Sequence, residues 1–239
     1  GPYGFVVTFD DITDLEVAQR TSAWADVAQR IAHEIKNPLT PIQLSAERIR
    51  RKYGAHITAD REIFDRCTDT IIRHVGDIGR MVDEFSAFAR TPKPVFEQHD
   101  INGIVREAVI LFQMSGSEID YHNELLEAPL VIECDRRLLT QAVTNLVKNA
   151  SEAIATAKTS GKKEDNYRGD VTARIRSVDG RCIIEVIDNG CGLPQENRHR
   201  LTEPYVTTRQ KGTGLGLAIV QRIAEQHEGV ITLDDVIDE

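Results

Sequence analysis

Apolar residues recur with a helical period through the first third of the chain. From Thr21 to about Arg51 they alternate steps of four and three, or multiples of seven, which predicts a long helix with a coiled-coil-like seam. After Tyr53 and Gly54, which are typical of a helix end, the alternation continues to Phe88 and predicts a second helix. The two seams consist of Trp24, Ala28, Ile31, Ile35, Ile42 and Ile49, and of Phe64, Cys67, Ile71, His74, Ile78, Met81, Phe85 and Phe88.

A hairpin made of these two helices has more apolar surface than it can cover by itself. Further apolar residues widen the seams, namely Leu39, Leu44, Ile72, Val75 and Val82. Dimerisation into a four-helix bundle would bury the remainder, so we expect a homodimer through this region.

Residues 91–94 break the helical period with two prolines and predict a linker. Beyond it the pattern mixes helices and strands, which predicts an α/β domain built in layers. The predicted elements are helices at 101–113, 136–157 and 215–227, a hairpin of strands 171–177 and 181–187 around Asp179 and Gly180, and a solvated loop at 158–170. Near the start of the chain, residues 5–9 predict a strand that belongs to an upstream domain.

Composition narrows the class of protein. The 239 residues include 29 Lys and Arg against 38 Asp and Glu, for a net charge of −9, which argues against a generic nucleic-acid or anionic-membrane surface. The hydrophobic share of 41% is that of a folded protein. The four cysteines have no C-x-x-C spacing, so we interpret them as reduced thiols, and a zinc site is not expected.

Residues 32–41 place a histidine outside the first seam. His33 lies two positions from each neighbouring seam isoleucine, so it projects away from the seam. Glu34 can accept a hydrogen bond from one ring nitrogen, which would leave the other nitrogen as a nucleophile. Because Pro38 and Pro41 each remove a backbone donor, the helix is expected to kink just after His33. The simpler interpretation is a surface helix with an incidental His-Glu pair.

Two asparagines lie four residues apart on the predicted helix 136–157. Asn145 and Asn149 therefore share a helix face. Side-chain amides can offer oxygen to Mg²⁺, which prefers hard oxygen ligands together with substrate phosphates. Taken alone, such a pair is more often a coincidence of a helix surface than a metal site.

Two glycine-rich stretches follow. Residues 188–192 come directly after a predicted strand, where the Asp188 carboxylate can accept a hydrogen bond from the amino group of a base. Residues 212–216 open a helix whose free backbone N–H groups can bind a phosphate. Each stretch is a weak signal alone. The first is also a common turn, and the second neither follows a strand nor ends as a P-loop does.

In this order and at this spacing, the four motifs resemble those of the sensor histidine kinases of bacterial two-component systems. His33 falls in the phospho-acceptor box, Asn145 and Asn149 in the asparagine box, and residues 188–192 and 212–216 in the two glycine boxes. The resemblance covers about residues 15–235. Residues 33–49, which begin with His-Glu-Ile-Lys-Asn-Pro, are similar to nitrogen-regulation sensors of the NtrY type.

This resemblance implies an enzyme that phosphorylates itself. His33 would accept the γ-phosphoryl group of ATP with Glu34 as base, and an aspartate of a response regulator would then receive it. Asn37 belongs to a pattern associated with removing the phosphoryl group from the regulator, so phosphatase activity is also expected. The implied setting is the cytoplasmic portion of an inner-membrane-anchored bacterial sensor in nitrogen-related signalling, with no nucleic-acid partner and no membrane contact by this portion.

The resemblance also implies a nucleotide site. Asn149 would bind Mg²⁺ with Asn145 near the phosphates, Asp188 would recognise adenine, and residues 193–211 would form a mobile lid over ATP. The implied nucleotide-binding residues are Asn145, Asn149, Asp188, Gly190, Gly192, Thr207, Thr208, Arg209, Lys211, Gly212, Thr213, Gly214, Leu215 and Gly216.

The expected fold is a helical hairpin forming a dimeric four-helix bundle, followed by an α/β sandwich ATP-binding domain of the GHKL or Bergerat type. The expected boundaries are 1–14 for the end of a PAS-like domain, 15–91 for dimerisation and phosphotransfer, 92–95 for a linker, and 96–239 for a C-terminally incomplete catalytic domain. The lid keeps only Pro204, Tyr205 and two threonines of the usual phenylalanine-rich box, and residues 227–229 are His-Glu-Gly where the family often has His-Gly-Gly.

Two other functions fit parts of this pattern. The chain could be a non-catalytic dimeric scaffold that binds ATP and a response regulator, which the altered lid would suit. It could instead be an ATPase or serine kinase that shares the nucleotide fold, although the His33 box on a hairpin helix argues against this.

Overall fold

A computed structural model describes residues 13–89, 93–114, 118–160, 167–194, 196–207 and 212–235, with side chains described from residue 27 onward. The chain divides into two compact units, Gly1–Pro92 and Lys93–Glu239. The strand predicted at residues 5–9 and the side chain of Trp24 lie outside the described residues. No helix in the described part is both long and apolar enough to cross a membrane.

The first unit is a hairpin of two helices, α1 (Thr13–Tyr53) and α2 (Arg61–Ala89). Helix α1 is continuous through Pro38 and Pro41, and it is longer than the predicted 21–51. It ends at Gly54, whose N–H donates to the carbonyl of Arg50 at 2.9 Å. A Cβ at Gly54 would lie 2.5 Å from that oxygen, so only glycine fits at this helix end. The kink after His33 stays a prediction.

The hairpin buries small residues and leaves large ones outside. On α2 the buried residues Thr68, Val75, Val82 and Ala89 recur every seven positions, and they face small residues of α1 that include Ala32 and Ala46. The large seam residues are 38% to 46% exposed, and they are Ile31, Ile35, Ile42, Ile49, Ile71, Ile78 and Met81. The hairpin therefore carries a second, uncovered apolar stripe.

In its described residues, the second unit combines three α-helices and a short 3-10 helix (Arg198–Arg200) with two small sheets. Its elements are β1 (Glu97–Asp100), α3 (Ile101–Gln113), β2 (Ile119–Glu124), β3 (Val131–Cys134), α4 (Arg136–Thr159), β4 (Gly169–Val178), β5 (Arg181–Asp188) and α5 (Gly216–Gln226). Strand β1 pairs antiparallel with β3, while the other sheet has the order β2-β4-β5, with β2 parallel and β5 antiparallel to β4. This architecture agrees with the predicted α/β layers.

Three of these strands, β1, β2 and β3, were not predicted from the sequence, and the predicted loop 158–170 is shorter than expected because α4 and β4 extend into it. The hairpin around Asp179 and Gly180 is confirmed, and both residues have the positive φ angles that a tight two-residue turn requires.

One face of the larger sheet forms the core with α3 and α4. The residues of β4 alternate, so that Val171, Ala173 and Ile175 are buried against helix residues such as Val105, Val147 and Ile154. The carboxyl end of β5 and one side of α4 are thereby placed next to each other, with α5 packed on α4.

Asp135 joins three parts of the second unit. Its carboxylate accepts hydrogen bonds from the N–H of Leu138 at 3.0 Å, which caps α4, and from the N–H of Val95 at 2.9 Å. Its own N–H donates to Nε2 of His227, just past the end of α5, at 3.0 Å. The start of this unit, the start of α4 and the end of α5 therefore meet at one buried residue.

This junction predicts a pH-dependent stability. Burial acts to raise the pKa of Asp135, but the N–H groups of Val95 and Leu138, with Arg137 nearby, outweigh it and hold the pKa below its ordinary value. The ionised form therefore stabilises the fold above about pH 4, and this contribution is lost as pH falls through the lowered pKa. We expect Asp135→Asn to lower the free energy of unfolding at pH 7 by about 1–2 kcal/mol.

Urea denaturation of the second unit's transition at pH 7 and at pH 3 measures this effect. The difference between parent and variant should shrink at the lower pH, whereas Asp179→Asn, at the hairpin turn, serves as a control with little difference at either pH. A deficit of Asp135→Asn that stays constant between the two pH values would contradict the electrostatic origin.

Candidate active site

The phospho-acceptor candidates lie on an exposed face of α1. His33, Glu34 and Asn37 are all exposed, as the position of His33 relative to the seam predicts. Glu34 does not accept the predicted hydrogen bond from His33; its partner is Arg30, whose Nε lies 3.0 Å from Oε1 of Glu34. In a helix, residues four apart are neighbours on the surface and adjacent residues are not, which explains this choice.

The first glycine box packs directly on α4. Asp188 ends β5, and its Oδ1 accepts a hydrogen bond from the N–H of Gly190 at 2.9 Å. A Cβ at Gly190 would lie 2.7 Å from the carbonyl carbon of Ala153 and 2.8 Å from its Cβ. The absence of a side chain at Gly190 lets the loop approach α4 closely. The Asp188 carboxylate is thereby brought near the middle of that helix.

The two asparagines of α4 lie on the side of the helix that meets α5. A Cβ at Gly216, the first residue of α5, would lie 3.4 Å from Nδ2 of Asn149. Nδ2 of Asn145 is buried and has no hydrogen-bond partner among the described residues. A buried amide without a partner is costly, so this position suits a polar ligand.

The second glycine box packs against the backbone of Tyr205. Gly214 has a φ of 69°, and a Cβ there would lie 2.7 Å from the backbone of Tyr205, whose N–H donates to the Gly214 carbonyl at 3.1 Å. The residue before α5, Leu215, makes no side-chain hydrogen bond to the helix. The first N–H groups of α5 can therefore bind an anion such as a phosphate.

The structure brings Asp188, Gly190, Asn145, Asn149 and Gly216 together around α4, and we refer to these five residues as the cleft. Gly192, with a φ of 73°, belongs to the first glycine box, and Gly212 and Thr213 belong to the second. Thr207 is exposed and is the last described residue before residue 212. Thr208, Arg209 and Lys211 lie outside the described residues.

Sequence analysis missed two residues beside this cleft. Asn189 and Tyr167 are hydrogen-bonded to each other at the first glycine box. The position of Asn189 inside the first glycine box could have marked it as a site residue. Tyr167 follows a polar loop, and no sequence pattern marks it as part of the site.

The donor set fits Mg²⁺ bound together with phosphates. No group of three or more His, Cys, Asp or Glu side chains in the described ranges could hold a metal by itself. Mg²⁺ usually keeps several waters and takes one or two protein oxygens plus substrate phosphates. The amide of Asn149, next to the start of α5, offers such an oxygen.

Comparisons with known proteins agree with this geometry. Residues 23–93 match the His Kinase A (phospho-acceptor) domain, and residues 134–238 match the histidine kinase-, DNA gyrase B- and HSP90-like ATPase domain. The nitrogen regulation protein NtrY of Azorhizobium caulinodans is 59% identical over 98% of this chain and 30% of its own length. The chain belongs to the NtrY-type sensor histidine kinases.

Two further proteins support this family assignment. A putative NtrY-like sensor histidine kinase of Rickettsia bellii is 40% identical over 92% of this chain and 34% of its own length. The crystal structure of the histidine kinase ThkA in complex with the response regulator protein TrrA is 25% identical, with a TM-score of 0.57, over 89% of this chain and 57% of that one. This NtrY-type chain spans about a third of the length of the curated relatives it matches.

The ATPase match identifies the second unit of this NtrY-type kinase as an ATP-binding domain. The matched range contains α4, β4, β5 and α5, which are the elements that carry the cleft. The helical hairpin followed by an α/β ATPase domain, predicted from the sequence, is confirmed.

The tight packing at Gly190 predicts the effect of a single methyl group. Gly190→Ala places a Cβ within 3 Å of Ala153 and of the Asp188 carboxylate, so the loop must move. We expect it to lower the free energy of unfolding by about 1–3 kcal/mol and to weaken ADP binding at least tenfold. Gly103→Ala on α3, where a Cβ meets nothing within 4 Å, is the matched control, which should leave ADP affinity unchanged and raise the free energy of unfolding by up to about 1 kcal/mol. Parent-like ADP affinity of Gly190→Ala in calorimetry would contradict the close packing.

Proposed function

We propose that this chain is the kinase portion of a sensor that phosphorylates His33 from Mg²⁺-bound ATP and passes the phosphoryl group to an aspartate of a response regulator in nitrogen-related signalling. The observation that carries the proposal is the convergence of both glycine boxes on the asparagine face of α4, where Gly190 packs on Ala153 and Gly216 on Asn149. An exposed histidine on a separate helical unit supplies the acceptor.

The cleft residues have distinct roles in holding ATP. Asp188, whose carboxylate is oriented by the N–H of Gly190, accepts a hydrogen bond from the adenine amino group. The amide of Asn145 and the N–H groups at the start of α5 bind phosphate oxygens. Asn149 would hold Mg²⁺, which would supply neutralisation of the charge on the phosphates.

The acceptor face performs the chemical step. An imidazole nitrogen of His33 forms a bond to the γ-phosphorus as the bond to the ADP oxygen breaks, and the ring proton passes to Glu34. Glu34 is paired with Arg30 on an exposed surface, so the carboxylate can exchange partners at little cost. Transfer to the regulator then breaks the phosphorus–nitrogen bond and forms one to an aspartate oxygen.

The setting of this portion follows from its relatives. The resemblance to sensors of the NtrY type implies membrane segments upstream, and the chain spans about a third of each such relative. We therefore infer an inner-membrane-anchored sensor whose cytoplasmic part includes this chain. Recovery of the full-length protein in the soluble fraction of lysed cells would contradict the anchor.

The uncovered apolar stripe of the hairpin supports a homodimer. Large side chains from both helices line one groove, with Ile42 and Ile49 on α1 and Ile71 on α2. The phospho-acceptor domain is dimeric in histidine kinases, and a second hairpin placed on this stripe would complete a four-helix bundle.

Light scattering at micromolar concentration should therefore give about twice the chain mass of 26.7 kDa. Ile42→Asp places a charge in the stripe and should shift the mass towards the monomer. Thr40→Asp is the matched control, because Thr40 is exposed, does not line the groove, and lies seven positions from His33 on the outward face of α1. A parent chain of monomer mass would overturn the dimer.

The acceptor role predicts that His33→Ala abolishes autophosphorylation while ADP affinity stays within about twofold, because the nucleotide cleft lies in the other unit. Labelling with γ-³²P ATP followed by acid measures this, since phosphohistidine is acid-labile. Acid-labile label retained by His33→Ala would exclude this residue. Acid-stable label in the parent would favour a serine kinase, and no label would favour a scaffold.

Asn37→Ala is the companion variant on the same exposed face, one turn beyond His33. A side-chain amide there can orient water for attack on a docked phospho-aspartate. His33 labelling should persist, and dephosphorylation of the cognate regulator should slow. If both activities fall together, or neither changes, the phosphatase role of Asn37 is wrong.

A further inference from the structure

Asn189, between Asp188 and Gly190, forms side-chain and backbone hydrogen bonds to residues at the start of β4. Nδ2 of Asn189 donates to the carbonyl of Arg168 at 3.0 Å, and its Oδ1 accepts from the N–H of Asp170 at 2.9 Å. The backbone N–H of Asn189 also donates to the Asp170 carbonyl at 3.3 Å. Such bonding is unusual for a residue that is exposed, and it continues the β4–β5 pairing past the last strand residue.

Tyr167 completes this arrangement from the segment before β4. Its hydroxyl oxygen lies 2.9 Å from the carbonyl oxygen of Asn189 and 3.0 Å from Oδ1 of the same residue, so its single proton is shared between these two acceptors. Burial, and then the negative charge of Asp188, raise the pKa of Tyr167, so the phenol remains a donor at neutral pH. The ring is half-buried and lies within electrostatic range of the Asp188 carboxylate.

We propose that Tyr167 and Asn189 are positioning residues that fix Asp188 and so set the preference of the cleft for adenine over guanine nucleotides. The inference rests on the proposed role of Asp188 in binding adenine. The hydrogen bond from Asp170 to Asn189 fixes the backbone directly after Asp188. The N–H of Gly190 donates to the Asp188 carboxylate itself. The tyrosine hydroxyl is the only one of these contacts that a conservative substitution can remove without changing the loop sequence.

The chemistry of the two bases explains why position decides selectivity. Adenine presents an amino group where guanine presents a carbonyl oxygen, so a fixed carboxylate attracts the first and repels the second. A carboxylate that can swing aside loses part of both effects. Loosening Asp188 should therefore weaken adenine binding and reduce the penalty against guanine.

The test compares two Tyr→Phe substitutions in the full 239-residue chain. Tyr167→Phe removes the hydroxyl that bonds to Asn189. Tyr121→Phe removes a hydroxyl that lies 3.0 Å from Oγ of Ser151 on α4. Calorimetry with Mg²⁺-bound ADP and GDP avoids turnover. Tyr167→Phe should lower the GDP-to-ADP ratio of dissociation constants about threefold to tenfold, and Tyr121→Phe should leave it unchanged.

A double-mutant cycle then asks whether Tyr167 acts through Asp188. In the Asp188→Asn background, Tyr167→Phe should have no further effect on the ratio, because the group it positions is gone. Asn189→Ala, which disrupts the same contacts from the other side, should reproduce the loss of selectivity in the parent background. Thermal unfolding of each variant verifies that the second unit is folded.

The outcomes separate this inference from the proposed function. If Asp188→Asn changes the ratio but Tyr167→Phe and Asn189→Ala behave like Tyr121→Phe, only the positioning role is wrong. An equal effect of Tyr167→Phe with and without Asp188 would also overturn it. If Asp188→Asn itself leaves the ratio unchanged, the adenine role of Asp188 is wrong and the positioning role fails with it.

Discussion

The close approach of two glycine loops to one helix is the constraint on which the second unit depends. Backbone at Gly190 packs on Ala153 so closely that a Cβ there would lie within 3 Å of it, and backbone at Gly216 lies beside Asn149, where a Cβ would be in van der Waals contact with the amide. The loops contribute a carboxylate and a helix N-terminus, and the helix contributes two amides. None of these groups could recognise a nucleotide alone, so the packing of α4 creates the site as well as the core.

The helical hairpin is governed by a different constraint, namely how much apolar surface two helices can cover between them. Residues no larger than valine recur at intervals of seven on α2 and let the two helices lie close, while most of the large seam residues, three or four positions from a buried residue, stay uncovered. Because burial of large side chains contributes most of the hydrophobic stabilisation, a hairpin arranged in this way remains incomplete without further apolar surface. The same helix turns the opposite face, with His33, outward.

Sequence patterns were reliable where a long element carried its own signal. The helices at 101–113 and 136–157 and the hairpin at Asp179 were recognisable because periodicity and turn chemistry are local. Strand β1 is four polar residues, Glu97–Asp100, and exists because β3 lies beside it, so no local pattern marks it. Tyr167 lies 22 residues from Asn189, and only the fold brings them together.

The carboxylates of Glu34 and Asp188 differ in how firmly their hydrogen bonds fix them. Glu34 has one exposed partner four residues away, and an exposed pair of this kind contributes little to stability. Asp188 is oriented by the N–H of Gly190, beside a residue anchored to β4. A base must exchange partners during a proton transfer, whereas an acceptor that distinguishes two bases must keep one position. The sequence made both residues visible as candidates, but only their hydrogen bonds separate a carboxylate suited to moving from one suited to recognition.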